Sequence, residues 1–71
     1  MYDDLDASLI GMTGRISVPV PAGGTGEIII SIRGGSEAFT AYTVGDETLP
    51  RNARAAVVEK TGARTVLVTA V

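Results

Sequence analysis

The chain reads as an all-β domain, a small closed barrel of five short strands, and three observations predict it. Segments of six to eight residues rich in Val, Ile and Thr recur between Gly- or Pro-containing turns, and along them apolar and polar residues alternate with a period of two. No stretch shows the 3.6-residue period of a helix. The central stretch Gly26–Arg33 carries Ile28, Ile30 and Ile32 on one face, with Glu27, Ile29, Ser31 and Arg33 on the other. A flat sheet would leave that isoleucine face wet, so the remaining strands are expected to curl over it.

Composition bounds the rest. With 71 residues there is room for one core, near the lower size limit for a domain held by packing alone. Cysteine and histidine are both absent, which removes disulfides, the usual zinc and haem ligands, thiol chemistry and the commonest general base. Apolar residues reach 45% while aromatics make up only 4%, a balance that suits an aliphatic core and argues against intrinsic disorder. A net charge of −2 provides no overall positive field to gather nucleic acid or anionic lipid. No run reaches the roughly 18 apolar residues of a membrane helix, and no signal peptide opens the chain, so it is expected to be soluble as it stands.

In chain order, residues 1–8 are expected to form a flexible acidic tether, and residues 9–71 the barrel, with the first strand entered near Leu9. Asp3, Asp4 and Asp6 lack the glycine and the distal glutamate that a calcium loop needs, so they read as solvated. Thr13–Val20 alternates, placing Ile16, Val18 and Val20 inward, and Pro19, which has no N–H to give a ladder, belongs at an edge or bulge. The link 21–26 is rich in glycine, but it lacks a Walker lysine and leads into a strand where a phosphate loop would open a helix. It reads as a turn.

Gly34-Gly35 predicts a tight hairpin after the central strand, and Ser36–Thr43 should return antiparallel with Phe39 and Ala41 inward and Tyr42 on the flank. Phe39 and Tyr42 have no basic cluster beside them in sequence, so core packing is favoured over a base-stacking platform. The connection 44–52 is too short for a helix with its loops. Within it Leu49 is expected to plug the open end of the core, and Asn52 to take the left-handed conformation. Ala53–Lys60 forms the fourth strand, Ala55 and Val57 opposite Ala56 and Val58. Thr61-Gly62-Ala63 turns the chain, with Gly62 as the left-handed residue, and Arg64–Val71 closes the set with Val66, Val68 and Ala70 inward and Leu67 and Thr69 outward.

Five strands, two tight hairpins and a longer third connection fit a barrel of the OB type, with an SH3-like barrel as the runner-up. The residues also carry a family resemblance. Leu9-Ile10-Gly11-Met12-Thr13-Gly14, the Pro21…Gly24-Thr25-Gly26 link, Phe39-Thr40-Ala41, Leu49-Pro50-Arg51-Asn52 and Thr65-Val66-Leu67-Val68 together resemble the soluble C-terminal domain of NfeD-like proteins. Two departures stand out: Asn52 replaces the usual glycine, which keeps the left-handed requirement, and Ala53–Val57 is poorer in valine than usual. The resemblance implies an OB-fold domain that follows transmembrane helices not contained in this chain, in a membrane-associated parent that works with stomatin- or flotillin-like scaffold proteins. It also implies that the domain sits on the cytoplasmic side. The serine protease domain of longer relatives has no counterpart here.

The function expected is therefore a non-catalytic protein-interaction domain. Its candidate partner surface comprises the outward apolar residues Ile29, Val58 and Leu67, with no cofactor and no metal; self-association is left open. The alternative is an oligonucleotide-binding module. Arg15, Arg33, Arg51, Arg54, Lys60 and Arg64 are spread along the chain near strand ends, where charges commonly guard edges, and no nucleic acid is expected. Catalysis is not expected either. Ser8, Ser17, Ser31, Ser36 and the single Lys60 sit in no nucleophile motif, and Asp46-Glu47 reads as a solvated turn.

Overall fold

A computed structural model describes residues 9–32 and 34–71. Its strands are β1 (Thr13–Val18), β2 (Thr25–Ile32), β3 (Gly35–Tyr42), β4 (Arg54–Gly62) and β5 (Thr65–Ala70). They close in the order β1-β2-β3-β5-β4, with β4 returning to β1. Every neighbouring pair is antiparallel except β3 and β5, which run parallel from Thr40↔Thr65 to Tyr42↔Leu67. This is the five-stranded Greek-key barrel of the OB type. The expected tether, residues 1–8, lies outside the described residues, as does Arg33.

The alternation of β2 decides what lies inside. Ile28 and Ile30 are fully buried, and Phe39 and Ala41 of β3 sit on the same side, as do Ile16 of β1, Ala55 and Val57 of β4, and Val66 and Val68 of β5. Each fully buried Ile or Val contributes about 1.5–3 kcal/mol relative to exposure. Leu9, Val20 and Leu49, which lie outside the strands, are buried too and complete the core. Leu49 plugs it as expected, bonding Val20 in both directions, N–H to carbonyl, at 2.8 and 2.9 Å. Asn52 takes φ 75°, the left-handed conformation its turn required.

Closure depends on β1 changing partners. Its first residues pair with β4 (Thr13↔Ala56, Gly14↔Ala55) and its later ones with β2 (Ile16↔Ile28), while Arg15 pairs on both sides, with Arg54 and Ile29. Such a crossing strand must pass very close to its neighbour. A Cβ on Gly14 would press into the Ile29 carbonyl oxygen and come within 3.0 Å of the Ile28 and Ile30 side chains, so glycine is what lets β1 lie there.

Several expectations are corrected. β1 begins at Thr13 and not near Leu9; Leu9 precedes a turn in which the Gly11 N–H donates to the Val57 carbonyl at 2.8 Å, and its side chain enters the core. β1 also ends at Val18, and Val18 is 47% exposed instead of inward. The cause is a bulge: Ile16 faces Ile28 and Val18 faces Glu27, so Ser17 is an extra residue and the alternation slips by one. Val20 then returns to the inside. The bulge leaves Gly26 no room for a side chain either, since a Cβ there would meet the carbonyls of Val18 and Pro19.

The β2–β3 hairpin turns one residue earlier than Gly34-Gly35 implied: Gly34 has φ 80°, but Gly35 already pairs with Ile32. Ile32 is only half-buried, because β1 pairs with β2 no further than Ile29 and the hairpin's end extends past it. Gly62 is not a left-handed turn residue. It belongs to β4, pairs with Thr65, and leaves residues 63–64 as the turn. Ala70, expected inside, is exposed at the end of β5.

Candidate binding surface

The sequence nominated Ile29, Val58 and Leu67, and all three point away from the core. Val58 is 47% exposed and occupies a register shift in β4, between the pairs Val57↔Val68 and Glu59↔Leu67. Leu67, half-buried, pairs with that Glu59 on one side and with Tyr42 on the other. Val58 and Leu67 therefore sit on adjoining strands. Ile29 does not join them: it is half-buried on β2, which β3 separates from β5 and β1 separates from β4. Exposed Ile10 and Val44, as well as Val18, were not nominated.

Around Ile29 the structure assembles something the sequence did not suggest. Thr13, Gly14, Arg15, Ile29, Ser31, Ser36 and Arg54 line an open depression of about 390 Å³ on the outside of β4, β1, β2 and β3. Arg15 and Arg54 are direct cross-strand partners. Arg15 Nη1 donates to Asn52 Oδ1 at 3.2 Å and Arg54 Nη2 to Thr13 Oγ1 at 3.3 Å, so both reach neutral oxygens. In sequence these arginines are 39 positions apart (54 − 15) and look unrelated. Only the β1–β4 register, a product of closure, joins them, and no local signal could have done so.

Other polar groups brace the barrel. Glu47 accepts hydrogen bonds from the Ala70 N–H at 2.7 Å and from Thr69 Oγ1 at 3.2 Å, and so ties the β3–β4 connection to the end of β5; Asp46-Glu47 is thus more than the solvated turn expected. Thr43 Oγ1 donates to the Glu47 carbonyl at 2.6 Å, which satisfies a buried hydroxyl. Arg64 donates to the Ala38 carbonyl at 2.9 Å, lies 4.0 Å from Glu37 and stands 5.1 Å above the Phe39 ring. With Phe39 only 3% exposed and capped by this guanidinium, the ring is core and offers no stacking face. Tyr42 is on the flank, its hydroxyl 3.1 Å from Thr61 Oγ1.

Among the described residues no group of three or more His, Cys, Asp or Glu could hold a metal ion; Asp3, Asp4 and Asp6 lie outside them. No helix among the described residues is long and apolar enough to cross a membrane.

Comparison with known proteins agrees with this architecture. A search of curated proteins finds no match. Among solved structures, the solution structure of the soluble domain of the NfeD protein YuaF from Bacillus subtilis superposes with a TM-score of 0.76 at 25% identity, covering 89% of this chain and 74% of that one. The C-terminal domain of stomatin operon partner protein 1510-C from Pyrococcus horikoshii gives 0.71 at 20% identity over 93% and 92% of the two chains, a likeness of fold. The family model of the NfeD C-terminal domain matches residues 13–69, from the first residue of β1 to the penultimate residue of β5. The chain belongs to the NfeD C-terminal domain family.

Proposed function

We propose that this chain is a non-catalytic protein-interaction domain of a membrane-anchored NfeD-like protein, held on the cytoplasmic side and working with a stomatin- or flotillin-type scaffold protein. Family membership carries the reading, and one structural relative is described as a stomatin operon partner protein. The outer face of β4 and β5 supports it, because exposed Val58 and half-buried Leu67 place branched apolar side chains on adjoining strands where a partner could cover them. In this reading Ile29 belongs to the lining of the arginine-lined depression and stands apart from the partner surface.

The test is co-purification of the full-length membrane protein with its own stomatin-type protein, with and without residues 9–71. Loss of the scaffold protein on deletion is the expected result. An unchanged complex would remove the proposal.

A further inference from the structure

We propose that the depression between Arg15 and Arg54 binds an oxyanion of the phosphate type, either free phosphate or the phosphate of an anionic lipid headgroup. Arg15 and Arg54 are direct cross-strand partners, so two like charges stand opposite each other on adjoining antiparallel strands, an arrangement that is unfavourable without a counter-charge. The chain has eight acidic residues against six basic ones, so carboxylates are available to neutralise such a pair. Here, among the described residues, each guanidinium reaches an uncharged oxygen instead, on Asn52 and on Thr13. The carboxylates of β2 and β3 are engaged elsewhere: Glu27 accepts from Ser17 Oγ at 2.6 Å, and Glu37 lies beside Arg64.

The geometry around the pair suits a tetrahedral anion. Each guanidinium has five N–H donors in a planar fork, and one from each is accounted for in this structure. The remainder match the paired oxygens of a phosphate better than an ammonium would. Hydroxyls of Thr13, Ser31 and Ser36, from three different strands, add donors around the same depression, and Ile29 gives it an apolar side. Val58 and Leu67 do not line the depression, so the site can be probed separately from any contact they make.

The test is an NMR titration of the full chain with sodium phosphate against sodium chloride at matched ionic strength. It is paired with sedimentation against vesicles of phosphatidylcholine alone or with added phosphatidic acid. Saturable amide shifts confined to Thr13–Arg15, Ser31 and Arg54 are expected. Arg15→Gln or Arg54→Gln should each weaken binding about tenfold, as loss of a charge-assisted hydrogen bond implies. Lys60→Gln, the same charge change elsewhere, should leave it within about twofold. Saturation by phosphate with no preference for phosphatidic acid vesicles assigns the free ion; the converse assigns the headgroup. Should an arginine variant fail to fold, Ser31→Ala/Ser36→Ala keeps both guanidiniums and should weaken binding about threefold. No saturation in either arm, or arginine and serine variants that titrate like the parent, would overturn the proposal.

Discussion

Replacing Gly14 by alanine is the sharpest perturbation of this barrel, because one methyl group tests how β1 closes it. A Cβ at Gly14 meets the backbone carbonyl oxygen of Ile29, and lies 3.0 Å from Cγ1 of both Ile28 and Ile30. The side chains could yield by a few tenths of an ångström; the carbonyl cannot without moving β2, whose eight residues are all paired to β3. Overpacking of this kind costs about 1–3 kcal/mol, and an obstacle of backbone places Gly14→Ala toward the upper end. For a domain of this size each kcal/mol shifts Tm by roughly 4–8 °C, so a fall of about 10 °C or more is expected. Thermal unfolding followed by far-ultraviolet circular dichroism reads it directly. Gly35→Ala is the matched control: the nearest atom to its added Cβ is the Ile32 carbonyl oxygen at 3.9 Å, so its Tm should be unchanged or slightly raised. If Gly14→Ala melts within about 2 °C of the parent, β1 does not pass between β2 and β4 as described.

The remaining predictions concern other parts of the barrel. Leu49→Ala removes a 3%-exposed plug and should cost about 2–5 kcal/mol by denaturant titration. Asn52→Gly should leave stability nearly unchanged, whereas Asn52→Val, forced to φ 75°, should cost about 1–2 kcal/mol in the same assay. Glu47→Gln weakens the tie to the Ala70 N–H and Thr69; amide exchange at Ala70 should quicken while that of Val66 stays slow, with a global loss of about 1 kcal/mol or less.

Most of the fold was legible because its signals are local. The isoleucines of β2, the Phe39/Ala41 pair, the left-handed Asn52 and the plug at Leu49 each follow from alternation or turn chemistry over a few residues. What sequence could not supply were events of register. The Ser17 bulge turned Val18 outward, and the hairpin turned before Gly35. Gly62, which looked like a turn residue, was absorbed into β4. The same limit governs the surface. Val58 and Leu67 could be named as outward residues but not as neighbours, Ile29 could not be separated from them, and Arg15 and Arg54 met only when β1 paired with β4. A one-residue slip in any of these strands would exchange inside for outside.

The proposed interaction role is tested most directly by an equilibrium titration of this chain against a purified stomatin-type protein, comparing the parent with Val58→Glu/Leu67→Glu and with Arg15→Gln/Arg54→Gln. Saturable binding that the glutamate pair weakens by about tenfold or more, a loss typical of truncating central interface contacts, and that the arginine variant retains is the predicted result. Absence of binding by the folded parent, or equal affinity for parent and glutamate variant, would contradict an interaction through the β4–β5 face.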